Sequence, residues 1–114
     1  MKKTDLIKKA NSIVPTKQQL AFADMEFIGL IHFGMNTYTN SEEGTGREPE
    51  KYFNPPLLDV PQWVATVRNA GMKGLILTCK HSDGFCIWPS AYTEHTVKNS
   101  PWLEGNGDLV KMVS

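Results

Sequence analysis

The chain has 114 residues, 40% of them hydrophobic and 10% aromatic, enough apolar material for the core of one modest globular domain. Its 12 basic and 12 acidic residues cancel, so it lacks the one-signed field that draws a protein to nucleic acid or an anionic membrane; a neutral or locally complementary ligand fits better. Two cysteines, Cys79 and Cys86, are too few for a disulfide scaffold, and no apolar run approaches the ~18 residues a membrane span needs.

In chain order, Met1-Lys2-Lys3 is basic like the start of a signal peptide, but Thr4, Asp5, Lys8, Lys9, Asn11 and Ser12 interrupt the apolar stretch that should follow. The expectation is a cytoplasmic chain, or a secreted or periplasmic one if the true start lies upstream. Thr4 can cap a helix over residues 5–13, and Thr16 with Gln19 forms an S/T-x-x-Q capping box after Pro15. Residues 1–25 thus read as a helical lead-in to residues 26–114. Phe27 to Phe33 is an almost unbroken apolar run, the pattern of a strand covered on both faces. From Gly34 to Leu58 the chain is polar and turn-rich.

Asp59 stands at an N-cap position, with Gln62 three residues later. Trp63, Val64, Val67 and Ala70 fall on one helical face before Gly71 ends the helix. Lys73 to Cys79 repeats the buried-strand pattern, so residues 27–79 spell strand, helix, strand: a βαβ crossover with parallel strands. A second long loop covers 80–107, and Asp108 can cap a further helix from Leu109. There is no internal repeat and no low-complexity tract.

The chemistry-bearing side chains collect just past the two strands: His32 after the first, then Lys80, His81 and Asp83 after the second. In parallel α/β architectures ligands bind beyond the carboxyl ends of the strands. Each histidine read alone fits a core imidazole satisfied by backbone; two in equivalent strand-end positions favour a shared pocket. Cys79, His81, Asp83 and Cys86 are ligand-type side chains but lack C-x₂-C or H-x₃-H spacing, so no metal or other cofactor is expected. Tyr38, Phe85, Trp88, Tyr92 and Trp102 lie in the two loops above the same rim. About half should pack the loops down, leaving others to hold the apolar face of a sugar. His95, between Glu94 and Thr96, reads as an exposed loop residue, and Cys79 as a small core side chain.

Three stretches carry a family resemblance: Ile31-His32-Phe33-Gly34-Met35-Asn36-Thr37-Tyr38-Thr39, Ser41-Glu42-Glu43-Gly44-Thr45-Gly46, and Lys80-His81-Ser82-Asp83-Gly84-Phe85-Cys86-Ile87-Trp88-Pro89-Ser90. With Tyr52-Phe53-Asn54-Pro55, Gln62-Trp63-Val64, Ala70-Gly71-Met72-Lys73 and Ser100-Pro101-Trp102, they resemble the retaining alpha-L-fucosidases of glycoside hydrolase family 29. The first motif is closer in style to the branch that cleaves α-1,3 and α-1,4 fucosyl linkages. The resemblance implies an α/β fold, an incomplete TIM-type (β/α)8 barrel holding the first two βα units after short N-terminal helices.

It also implies fucosylated glycan as substrate, hydrolysed by two carboxyl groups about 5–5.5 Å apart. The family's nucleophilic aspartate stands on a later strand, so the resemblance places no catalytic residue in these 114 residues and implies no turnover by them alone. It assigns His32 and His81 to fucose hydroxyls and Glu42 to a further sugar contact; Ser82, standing where the motif has its second histidine, and Trp88, from the loop aromatics, complete the expected substrate-binding set. Two positions depart from the motifs: Ser82 replaces a second histidine, and Glu43 replaces a sugar-packing tryptophan; each should weaken fucose binding. A degenerate, non-catalytic glycan-binding remnant is the alternative. With most of a barrel wall unsupplied, the open strand edges also suggest self-association.

Overall fold

The computed structural model describes residues 2–114. Helix α1 spans Lys3–Asn11, two residues earlier than the cap at Thr4 implies: Lys2 occupies the N-cap without a side-chain bond, and Thr4 lies inside the helix. Helix α2, Lys17–Ala23, begins with the expected box, in which the Gln19 N–H donates to Thr16 Oγ1 (3.2 Å) and the Thr16 N–H to Gln19 Oε1 (2.8 Å). Neither helix buries a residue. No helix among the described residues is long and apolar enough to cross a membrane.

Strands β1 (Ile28–Ile31) and β2 (Gly74–Leu77) pair in parallel, Ile28 opposite Gly74 and Ile31 opposite Leu77. Helix α4, Val60–Asn69, makes the crossover, following the short helix α3 at Asn36–Thr39. Asp59 Oδ1 accepts the Gln62 N–H at 2.9 Å, but the Gln62 side chain turns forward to Thr66 Oγ1 (2.8 Å) instead of closing a capping box. Gly71, at φ +79°, takes the left-handed position past the C-cap that a side chain would disfavour. The inward stripe is Val60, Trp63 and Val67; Val64 and Ala70, expected on the same face, are exposed. Gly29 lets this helix close on the sheet, since a Cβ there would lie 2.9 Å from Met72 Sδ and 3.2 Å from Val67 Cγ2.

Only one face of the sheet is covered. Leu30 and Ile76, opposite one another in register, are 67% and 45% exposed, so the both-faces burial read from the apolar run is corrected: α4 covers one side, and no described element covers the other. The core lies instead at the carboxyl ends of the strands, built largely from the two long connections. Phe53 is its hub, edge-on to Phe33, Tyr38 and Trp102 at centroid distances of 5.9, 5.6 and 5.5 Å, with Phe85 at 4.9 Å. Met35, Val60, Ile87, Val97 and Leu109 complete it. Loop 80–107 is tied back on itself by Lys80–Cys86 and Cys86–Thr96 bridges. The Leu109 N–H then donates to Ile87 O (3.0 Å) as helix α5, Leu109–Val113, begins, with Asp108 Oδ1 accepting from the Lys111 N–H.

Candidate functional site at the strand ends

Each histidine follows a strand by register. β1 ends at Ile31, one residue before His32; β2 ends opposite it at Leu77, and the Thr78 N–H extends the ladder to Ile31 O (3.0 Å). The chain beyond β2 turns across this end of the sheet and brings His81 to His32, with ring centroids 4.5 Å apart and planes tilted by 55°. His32 is exposed and His81 half-buried. Both rings help line a narrow crevice, shared with Met35, Thr78 and Phe85, that is too tight to admit a water molecule. The rings therefore stand on a closed floor, and any ligand meets them from the open side. Roomier grooves run along α4 past Gln62 and Thr66 and past Arg68 and Asn69, but none gathers titratable groups.

Loop 41–48 borders the rings and is held at several points. Asn36 Nδ2 donates to Glu42 O (3.3 Å), and Ser82 Oγ donates to Glu43 O (2.6 Å) while lying 2.9 Å from His81 Nδ1. Glu48 anchors the loop from inside: its carboxylate accepts from the Thr45 N–H, the Thr45 hydroxyl (2.9 Å) and the Arg47 N–H (3.1 Å). These bonds, the Thr45 amide foremost, hold its carboxyl down at about 2, below the usual 4.5. Gly44 (φ +75°) presses against segment 80–83, where a Cβ would sit 2.8 Å from Asp83 Cβ.

Of the expected site residues, His32, His81 and Ser82 come together, and Glu42 stands exposed on the adjoining loop. Trp88 is half-buried and lies outside the lining of the crevice; its carbonyl accepts the Thr96 hydroxyl. Asp83 is buried, with Oδ1 accepting the Phe85 N–H at 2.8 Å, so it braces the turn beneath the rings. Phe85 and Trp102 pack the loops down, whereas Tyr92 is fully exposed. No three His, Cys, Asp or Glu side chains among the described residues cluster tightly enough to hold a metal ion.

His95 is a correction. Its side chain is only 16% exposed: Nδ1 lies 2.7 Å from Glu50 Oε1 and the ring is edge-on to Phe85 at 5.2 Å. That bond holds the Glu50 carboxyl below the usual carboxylate range and clamps the two long loops together. Its partner lies 45 residues upstream, beyond what flanking residues reveal. Cys79 is half-buried and Cys86 buried; both are free, and burial pushes the Cys86 thiol up.

Residues 32–114 match the family model described as alpha-L-fucosidase. The chain belongs to the alpha-L-fucosidase family. It is 46% identical over 97 residues to alpha-L-fucosidase 1 of Arabidopsis thaliana, an alignment taking in 85% of this chain and 19% of that protein. Among solved structures, a glycoside hydrolase 29 family member from an unknown rumen bacterium superposes with a TM-score of 0.83 at 53% identity, over 88% of this chain and 18% of the other. A Ruminococcus gnavus family 29 fucosidase solved in complex with fucose gives 0.77 at 35% identity, over 90% and 21%. The chain thus spans about a fifth of the length of these fucosidases.

Proposed function

We infer that the chain forms the first wall of the sugar pocket in a retaining alpha-L-fucosidase, its βαβ unit being the start of a (β/α)8 barrel and residues 26–114 the first βα units. His32 and His81 hydrogen-bond the hydroxyls of a terminal fucose, Glu42 reaches it from loop 41–48, and Ser82 and Trp88 border it. The observation that carries this reading is the pair of imidazoles 4.5 Å apart beyond adjacent parallel strands, where barrels of this type place their chemistry. The sheet face bearing Leu30 and Ile76 belongs, on the same reading, to the barrel interior. The carboxyl pair of a retaining mechanism is supplied from elsewhere in the barrel, and this stretch binds and orients.

The test is a titration of the 114-residue chain with L-fucose, followed by the ring ¹⁵N resonances of His32 and His81, with L-rhamnose as control. Both rings should respond to fucose alone, and His81→Ala should weaken binding about tenfold, the loss of roughly one hydrogen bond of about 1.4 kcal/mol. The chain alone should release no aryl alcohol from aryl fucosides above a blank. Rings that ignore saturating fucose in a folded chain would remove the basis for the assignment.

A further inference from the structure

The hydroxyl of Ser82 carries one proton, and its surroundings decide where that proton goes. Its Oγ lies 2.6 Å from the carbonyl oxygen of Glu43, an atom that can only accept, so the proton points there. The same Oγ lies 2.9 Å from His81 Nδ1. With its own proton directed at Glu43, the hydroxyl can sustain this second contact only as an acceptor, so Nδ1 must carry hydrogen. A neutral imidazole protonated at Nδ1 leaves Nε2 bare.

We propose that Ser82 is a positioning residue that sets the tautomer of His81, so that His81 offers a sugar a bare acceptor nitrogen that receives a hydrogen bond from a sugar hydroxyl. The tautomer follows from the geometry alone; the sugar as ligand rests on the function proposed above. The position where the chain departs from the family's paired histidines is thereby given a role on its neighbour. Glu43 takes part only through its backbone, which makes the device independent of the side chain at that position.

Long-range ¹H–¹⁵N correlation spectra of the 114-residue chain, recorded above the imidazole titration, test this directly. His81 Nδ1 should resonate as a protonated, pyrrole-type nitrogen and Nε2 as a bare, pyridine-type one. Ser82→Ala should lose that pattern and move His81 toward Nε2 protonation, the form a free imidazole side chain prefers, whereas Ser82→Thr should retain it. A wild-type His81 protonated at Nε2, or a folded Ser82→Ala with the pattern unchanged, overturns the proposal; if Ser82→Ala fails to fold, the wild type and Ser82→Thr decide. Added L-fucose separates the two readings. An Nδ1-protonated His81 that ignores fucose sustains the tautomer and sinks the sugar pocket, while an Nε2-protonated His81 that shifts with fucose does the reverse.

Discussion

Replacing Gly44 by alanine should open loop 41–48 without unfolding the protein. The backbone at Gly44 sits at φ +75°, where a side chain costs about 1–2 kcal/mol. The new Cβ would lie 2.8 Å from Asp83 Cβ and 3.0 Å from Glu48 Oε1. Asp83 cannot retreat, because it is buried and tied to the Phe85 N–H, so the loop must give way at a further cost of about 1–3 kcal/mol. The loop's hold on segment 80–83 is modest, with the Ser82–Glu43 hydrogen bond worth about 1 kcal/mol. The penalty therefore exceeds the hold, and local opening wins over global unfolding, whose core around Phe53 is untouched. The ratio of closed to open loop should fall on the order of thirtyfold or more, the equivalent of about 2 kcal/mol or above. Amide exchange of Thr45 and Arg47 should rise close to the rates of an open loop, losing most of the protection that closure confers, while exchange in β1 and β2 stays unchanged. Unaltered protection at Thr45 and Arg47 would refute the argument from close approach.

Gly107→Ala should act globally, because the added Cβ would fall 2.1 Å from Cε3 of the buried Trp102; denaturant unfolding should show a loss toward about 3 kcal/mol. The Glu48 carboxyl, held below its ordinary value, contributes to loop closure above about pH 4.5 and loses that contribution as pH falls toward about 2. Amide exchange at Thr45 and Arg47, corrected for intrinsic rates, should rise through that window, and Glu48→Gln should abolish the dependence. Glu43→Trp should tighten L-fucose several-fold by adding an apolar face and removing a charge, with the His81 ring pattern unmoved, as calorimetry and the same ¹⁵N spectra would report.

What the sequence disclosed was what depends on local pattern. The Thr16 box, the Asp59 and Asp108 caps and the Gly71 stop follow from residues a few positions apart, and the parallel pairing from the order strand, helix, strand. Because strand ends set the height of the side chains that follow, the meeting of His32 and His81 was readable from topology. Hidden were interactions whose partners are far apart in the chain: the Glu50–His95 clamp, the bond between Ser82 and Glu43 across 39 residues, and the aromatic cluster assembled from both loops. Val64, Leu30 and Ile76 misled for a related reason. Apolar periodicity reports the surfaces a segment is suited to bury, and the described residues cover only one side of that sheet.

The order of burial bears on how the strand-end site is held. β1 and β2 are short and half-bare, so the two-stranded sheet by itself supplies little to fix the position of His32 against His81. What fixes it is the cluster beneath: Phe53 and Phe85 from opposite loops, Met35 three residues beyond His32, and Asp83 bracing the turn two residues beyond His81. The departures at Glu43 and Ser82 belong to this same scaffold, since they are joined to one another and to His81. A substitution at residue 82 therefore changes the hydrogen-bonding state of the imidazole as well as the reach of its own side chain, whereas one at residue 43 changes only the surface presented to a ligand. Counting the two as equal losses from a motif misses that difference, and the ring nitrogens of His81 are where it is measured.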